Sequence, residues 1–220
     1  PEVLAGVGAF GGLFDARALA AMDGPVLVAS TDGVGTKTKI ATALGIYDTI
    51  GQDIVNHCID DILVQGARPL FFLDYFAASV LEPAVAAAVI SGAAKACGEA
   101  GCALLGGETA EMPGVYLKGE MDLAGTVVGM VERERIITGE KMAAGHLVIG
   151  LPSSGLHTNG FSLARKVFED WDLAAPAGDG IDGSLGEALL APHRCYANQI
   201  RRLEQGGLWP TGLVHITGGG

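Results

Sequence analysis

A short loop after an apolar strand constrains this chain more than any other feature. The loop Asp32–Lys37 reads Asp-Gly-Val-Gly-Thr-Lys and follows the apolar run Val26–Ala29. Glycines let backbone N–H groups approach phosphate oxygens, but a carboxylate beside them would repel a bare phosphate. A Mg²⁺ ion between the two resolves the conflict, because Mg²⁺ binds carboxylates together with substrate phosphates. The loop therefore predicts a metal–nucleotide site, with an ordinary Asp-Gly turn as the alternative.

Two better-known phosphate motifs are disfavoured. A Walker A loop requires glycine directly before its lysine, and Thr36 stands there instead. Gly6, Gly8 and Gly11 spell G-x-G-x-x-G, but only five residues precede them and no convincing βαβ unit follows. The phosphate prediction therefore depends on the loop after the first strand.

Composition excludes several classes of protein. The 220 residues carry a net charge of −11, which argues against nucleic-acid binding because phosphate backbones require clustered Lys and Arg. The chain is 49% apolar and 18% charged, which is typical of a globular protein. It contains no bilayer-length apolar run and no signal pattern at its start, so we expect a cytoplasmic protein without a membrane partner. Four cysteines without C-x-x-C spacing indicate reduced thiols rather than a zinc-binding cysteine set.

The order of predicted elements indicates a mixed α/β fold in two layers. Strands are predicted at Val26–Ser30, Leu70–Phe76, Ala103–Leu105, Leu123–Val131 and Leu147–Leu151. Helices are predicted at Asp48–Gln65, at Pro83–Ala100 with Gly101 as its stop, and at about Asn159–Asp170. The charged stretch 132–145 predicts a boundary between a first domain, residues 1–137, and a second, residues 143–220.

The first long helix carries an unusual set of polar residues. Asp53, His57 and Asp61 recur every four positions and so share one face, while Asp60 points about a hundred degrees away. A solvated helix face is the alternative interpretation. Residues 40–67 contain no Lys or Arg, however, so a bound metal ion is the simplest way to neutralise the charge of these carboxylates.

Two further segments have the chemistry of ligand-binding loops. Gly106-Gly107-Glu108 follows a predicted strand and is expected to present a carboxylate at the strand exit, where ligand sites of α/β proteins form. Ser153–Gly160 lies at a strand-to-helix junction, where free N–H groups bind anions. Within it, His157 is a candidate general acid or base, or a phosphate ligand, and a histidine hydrogen-bonded to backbone is the alternative.

These segments together resemble the phosphoribosylformylglycinamidine cyclo-ligase family, also called aminoimidazole ribonucleotide synthetase. The resemblance runs in order over essentially the whole chain and is carried by Ser30–Lys37, Val64–Tyr75, Gly106–Pro113 and Ser153–Gly160. It implies ATP-dependent closure of formylglycinamidine ribonucleotide to aminoimidazole ribonucleotide in purine synthesis. Two alternatives stay open: a related enzyme such as selenophosphate synthetase or formylglycinamidine ribonucleotide synthetase, and a non-catalytic dimerising fragment.

The resemblance also implies roles for individual residues. Asp32, Asp61 and Glu108 are expected to bind Mg²⁺, and Asp61 and His157 to be catalytic. The nucleotide is expected to contact Glu108 and the loop Asp32, Gly33, Val34, Gly35, Thr36 and Lys37. Substrate is expected to contact His157, Asn159, Thr217, Gly218 and Gly219. Whether K⁺ is needed as well as ATP and Mg²⁺ is left open, as is the effect of Asp60, which stands where many members have asparagine.

The architecture implied by the resemblance is a homodimer. The sheet of the first domain would pair with that of a second subunit to form a shared barrel, and a second α/β domain would follow. Family members have a segment before Pro1 and a long continuation beyond Gly220, so the second domain is expected to be incomplete and the activity of this piece is in doubt.

Overall fold

A computed structural model describes residues 2–4 and 10–218 of the chain. Gly6, Gly8, Gly219 and Gly220, named above, lie outside the described residues. The strands are β1 Pro25–Gly33, β2 Arg68–Ala78, β3 Ala103–Glu111 and β4 Met121–Glu132. The α-helices are α1 Arg17–Ala20, α2 Thr38–Leu44, α3 Asp48–Leu63, α4 Pro83–Ala100, α5 Phe161–Val167, α6 Leu185–Leu189 and α7 Ala197–Gln205, and short 3₁₀ helices occur at Gly35–Lys37 and Arg133–Arg135.

The four strands form one mixed sheet in the order β1-β4-β2-β3. β4 pairs antiparallel with both of its neighbours, whereas β2 and β3 pair in parallel. α4 makes the crossover between β2 and β3 that a parallel pair requires. The mixed α/β fold predicted from the sequence is therefore confirmed, while the dimeric barrel stays a prediction.

Helices α3 and α4 cover one face of the sheet and approach each other very closely. A Cβ atom on Gly51 would lie 2.0 Å from the carbonyl oxygen of Val89, and one on Gly92 would lie 1.9 Å from that of Asp48. α3 is buried along almost its whole length, including the polar residues Asp53 and His57. The sheet can cover only one side of α3, so other segments must bury the rest of the helix. The second half of the chain supplies them.

Most predicted elements of the first half lie where the sequence placed them. α4 has the predicted bounds, and Gly101 ends it in the left-handed conformation with φ 73°. α3 ends two residues early, at Leu63. β3 is much longer than predicted and continues to Glu111.

The second half differs more from its prediction. Leu147–Leu151 is not a strand, and Leu147 and Val148 are 90% and 98% exposed. A strand needs a paired neighbour, and among described residues 139–218 none forms a strand with which this segment could pair. The predicted helix Asn159–Asp170 shrinks to α5. None of the described helices has the length and apolar character needed to cross a bilayer.

Candidate functional site

Two carboxylates meet where the end of β1 crosses α3. The Asp32 Oδ2 atom lies 2.8 Å from His57 Nε2, and an Asp61 oxygen lies 3.9 Å from the same nitrogen. The hydroxyl of Ser30, two residues earlier on β1, donates to Asp61 Oδ2 at 2.8 Å. The alternation of β1 and the four-residue spacing of α3 bring these groups together, so the structure joins Asp32 and Asp61 as the sequence predicts.

The loop after β1 offers fewer phosphate donors than its sequence predicts. The N–H of Gly33 bonds to Asp32 Oδ1, and the N–H of Val34 bonds to the Leu123 carbonyl at 2.9 Å. Gly35 and Thr36 begin the 3₁₀ helix, where N–H groups lack partners within the helix. Only this later part of the loop is therefore placed to receive a phosphate.

The sequence analysis predicts that Lys37 binds phosphate, and the structure gives its side chain a different role. Its side chain is fully buried, and its Nζ donates to Asp53 Oδ1 at 2.9 Å and to the carbonyls of His157 and Ala191 at 3.0 and 2.9 Å. An ammonium has three protons, so all three are used. Burial raises the pKa of Asp53 to about 6 and lowers the pKa of Lys37. Lys37 is thus a structural cation that joins three segments of the chain.

His157 lies against a second histidine that the sequence analysis did not single out. Its ring stacks on that of His193, with centroids 4.1 Å apart and planes inclined by 24°. The N–H of Ser154 donates to His157 Nε2 at 3.2 Å, and the backbone of His157 has φ 58°, in the left-handed region. Burial lowers the pKa of His157 to about 4, so the ring is neutral at pH 7.

Four of the five histidines belong to one cluster around Thr158. The centroid of His57 lies 5.2 Å from that of His193 and 5.3 Å from that of His215, and the centroids of His193 and His215 are 5.4 Å apart. The Thr158 hydroxyl contacts Nδ1 of both His57 and His193. No spacing in the sequence marks His193 or His215, because tertiary packing alone brings them to α3.

His215 links the cluster to the carboxylates. Its Nδ1–H donates to Asp61 Oδ1 at 2.9 Å, and this hydrogen bond raises the pKa of His215. Burial would raise the pKa of Asp61, but the hydrogen bonds from His215 and Ser30 outweigh it and lower that pKa. Asp61 is therefore held as a carboxylate.

The predicted substrate-contacting residues also meet in part. The Asn159 side-chain amide donates to the Thr217 hydroxyl, and Gly218 follows directly, with the Asn159 Oδ1 atom 3.9 Å from a Cβ built on it. Gly219 lies outside the described residues. Asn159 and Thr217 are thus neighbours although 58 positions separate them.

Glu108 does not join the other two predicted metal ligands within one chain. It lies inside β3 rather than at a strand exit, because β3 stays paired with β2 through Tyr75 and Glu108. Tyr75 faces away from the helices, and paired residues share a face, so Glu108 lies on the face opposite Asp32. Three strand spacings, about 14 Å, also separate β3 from β1.

The two remaining carboxylates, Asp32 and Asp61, fit Mg²⁺, with His57 beside them as a hydrogen-bonding neighbour. One oxygen each of Asp32 and Asp61 and one nitrogen of His57 lie within 4.8 Å of one another. The side chains of Asp32 and Asp61 are 47% and 24% exposed, which leaves room for the waters and phosphate oxygens that Mg²⁺ usually retains. Asp32 and Asp61 are the residues that would hold the ion.

The fold and this site define a class of protein. The model of the AIR synthase related protein N-terminal domain matches residues 14–131, and that of the C-terminal domain matches residues 143–220. The chain belongs to the AIR synthase related family.

Its relatives in that family carry a more specific name. The phosphoribosylformylglycinamidine cyclo-ligase of Geobacillus kaustophilus (strain HTA426) is 54% identical over 222 residues, and that of Myxococcus xanthus (strain DK1622) is 56% identical over 222 residues. Each alignment covers 100% of this chain and 64% of the relative, so the chain spans about two thirds of their length. The resemblance predicted from the sequence is confirmed.

Solved structures support the fold alone. Escherichia coli HypE superposes with a TM-score of 0.51 at 21% identity, over 66% of this chain and 43% of HypE. A second structure of the hydrogenase maturation protein HypE gives a TM-score of 0.50 at 20% identity, over 77% and 50% of the two chains.

Proposed function

We propose that this chain carries the ATP-binding and ring-closing site of a phosphoribosylformylglycinamidine cyclo-ligase. The observation that carries the proposal is identity above 50% to enzymes of that name along the whole chain. In this reaction ATP phosphorylates the formyl amide oxygen of formylglycinamidine ribonucleotide. A nitrogen of the same molecule then attacks the formyl carbon, phosphate leaves, and aminoimidazole ribonucleotide forms with ADP.

The chemistry requires a good leaving group and a fixed geometry. An amide oxygen is a poor leaving group, whereas the phosphate that forms when this oxygen is phosphorylated leaves readily. Ring closure within one molecule then gains from orientation, with effective molarities of about 10⁵–10⁸ M in favourable cases. When bound by Asp32 and Asp61, Mg²⁺ would neutralise charge on the transferring phosphoryl group.

The residues around the carboxylates have distinct proposed roles. Ser30 and His215 hold Asp61 ionised and in position, as their hydrogen bonds show. The free N–H groups of Gly35 and Thr36 would receive nucleotide phosphate. The nucleotide would then lie at the end of β1.

His157 is proposed to donate a hydrogen bond to substrate. Its Nε2 accepts the Ser154 N–H, so in the neutral ring the proton is on Nδ1. Held in this way, His157 presents an N–H to a substrate oxygen and would act as a base only after its ring turned. The neighbouring pair Asn159 and Thr217 would contact the ribose phosphate end of the substrate.

A homodimer is proposed from the uncovered face of the sheet. Leu27 of β1 is 60% exposed, and Leu73 and Tyr75 of β2 are 36% and 37% exposed. All three lie on the face away from α3 and α4, and exposed large apolar side chains on one face of a sheet are typical of an interface. A second copy would cover that face and Glu108 with it.

The test follows ADP and aminoimidazole ribonucleotide together, with ATP, Mg²⁺ and formylglycinamidine ribonucleotide supplied. We expect equal amounts of both products. We expect Asp32→Asn and Asp61→Asn to raise the Mg²⁺ concentration needed for half-maximal rate by at least about tenfold. Asp179→Asn is the matched control, because Asp179 is exposed in a loop and belongs to neither group of possible metal ligands.

Two results would count against the proposal. ADP without the imidazole product would refute the substrate assignment and leave ATP use in place. Unchanged Mg²⁺ dependence in both Asp32→Asn and Asp61→Asn would refute the metal assignment.

A further inference from the structure

Behind the proposed magnesium site lies a second group of possible ligands, formed by Asp60, His193 and His215. One ligand atom from each lies within 4.8 Å of the other two. Asp60 comes from α3, and the two histidines come from loops of the second half of the chain. Asp60 and His193 have no role in the reaction proposed above, and His215 enters it only by holding Asp61.

Two of these atoms are buried without a hydrogen bond. Asp60 is 2% exposed and His193 is 1% exposed. Among the described residues, neither Asp60 Oδ2 nor His193 Nε2 has a hydrogen-bond partner, although the two atoms lie 3.3 Å apart. Buried polar atoms without partners are rare and costly, so this pair requires an explanation.

Asp60 and His193 are each held in place through their other polar atom, and His215 is oriented through its Nδ1. The N–H of Tyr196 donates to Asp60 Oδ1 at 2.9 Å. His193 Nδ1 contacts the Thr158 hydroxyl at 3.3 Å, and His215 Nδ1 donates to Asp61 at 2.9 Å. Outer hydrogen bonds of this kind orient metal-binding histidines and carboxylates and fix which ring nitrogen is free.

The spacing of the two unpaired atoms matches a tetrahedral ion. Bonds of about 2.0–2.1 Å from a zinc ion place two tetrahedral ligands roughly 3.3–3.4 Å apart. The observed 3.3 Å between Asp60 Oδ2 and His193 Nε2 agrees with that value. Two imidazoles and one carboxylate, with a fourth position open, are also a usual zinc donor set, whereas Mg²⁺ prefers oxygen ligands alone.

We infer that Asp60, His193 and His215 form a binding site for one zinc-type divalent ion, distinct from the Mg²⁺ site of Asp32 and Asp61. The ion would join α3 to the two loops that carry the histidines. It would also satisfy both unpaired buried atoms. The inference does not depend on the proposed enzymatic activity.

The test titrates the untagged chain with Zn²⁺ and with Co²⁺, whose visible absorption reports coordination by nitrogen and oxygen. An Asp32→Asn background weakens the neighbouring carboxylate group, so that only the new site is expected to bind tightly. In that background we expect one ion per chain, a four-coordinate Co²⁺ spectrum and a higher melting temperature with Zn²⁺. Adding Asp60→Asn or His193→Gln should lower the affinity at least about 100-fold.

The matched control is His146→Gln, added to the same background. His146 is the fifth histidine, and it is exposed; among the described residues its ring bonds only to Thr211, at 3.1 Å. We expect this variant to retain the affinity for Zn²⁺. Circular dichroism and a cooperative urea transition establish that each variant is folded, and Asp60→Asn and His193→Gln serve as independent tests if one of them is not.

Three results would overturn the inference. The first is the absence of equimolar binding in the Asp32→Asn background. The second is unchanged affinity in a folded Asp60→Asn or His193→Gln variant. The third is an equal loss in His146→Gln, which would assign the binding to surface histidine.

Discussion

Lys37 Nζ and Asp53 Oδ2 lie 2.8 Å apart, and both side chains are completely buried. The pair connects the loop after β1 to α3, and through the carbonyls of His157 and Ala191 it also holds two loops of the second half. The N–H of His193 donates to the same carboxylate at 2.7 Å. Lys37, which the sequence predicts to be a phosphate ligand, therefore holds together the segments that form the site.

Removing the buried Lys37 ammonium should make the protein easier to unfold. Lys37→Met leaves the Asp53 carboxylate buried and unpaired, and breaking a buried pair in this way costs about 3–5 kcal/mol. The measurement is the free energy of unfolding in urea. Lys39→Met is the matched control, because Lys39 pairs with Glu120 near the surface, and such pairs contribute about 1 kcal/mol or less. Equal losses in both variants would contradict the structural role of Lys37.

A methyl group between α3 and α4 should force the helices apart. Gly51→Ala and Gly92→Ala would each place a Cβ about 2 Å from a carbonyl oxygen of the facing helix. Overpacking of a core typically costs about 1–3 kcal/mol, and we expect values at or above the upper end. Urea denaturation measures the change.

Gly98→Ala provides the control for the close approach of the helices. Gly98 also lies in α4, but nothing lies within 4 Å of a Cβ built there. Alanine favours helix over glycine by about 1 kcal/mol, so this variant should be neutral or more stable. A destabilised Gly98→Ala together with a neutral Gly51→Ala would refute the helix contact.

Cys58 and Cys195 should react slowly with alkylating reagents in the native protein. Burial raises the pKa of the Cys58 and Cys195 thiols to about 12, so at pH 8 only about one in ten thousand is a thiolate. Iodoacetamide labelling followed by mass spectrometry should show these two at least about 100-fold slower in the native chain than in urea. Fast labelling of Cys58 at pH 8 would show that α3 does not bury it.

A charge on the open face of the sheet should separate the proposed dimer. Leu73→Glu places a carboxylate at the centre of that face, where its desolvation would oppose association. We expect sedimentation to show at least about a 100-fold weaker dimer. Leu163→Glu is the control, because Leu163 is 68% exposed on α5, away from the sheet. A chain that is monomeric without any substitution would refute the dimer.

Local signals were sufficient for the first half of the fold. Pro83 and Gly101 fix the ends of α4 through backbone geometry, and the spacing of Asp53, His57 and Asp61 marks the polar face of α3 correctly. These features act over a few residues, so a sequence pattern can reveal them. The meeting of Asp32 and Asp61, which lie on different elements, was expected only from the family resemblance.

Burial and pairing were not visible in the sequence. Lys37 occupies the position of a phosphate ligand in its loop, and only packing shows that its three protons are used. Glu108 looked like a strand-end carboxylate because its two preceding glycines are typical of turns, yet Gly107 is a strand residue whose Cβ would lie 2.4 Å from the Asp74 carbonyl. His193 carries no local signal at all.

The histidine cluster has a consequence for how the chain folds. Asp60 and the Tyr196 amide that holds it are 136 positions apart, and His215 is 154 positions from Asp61. Contacts between such distant positions close large loops and therefore form late, after local helices and hairpins. The cluster can therefore form only when the two halves of the chain have met, so the site does not exist in either half alone.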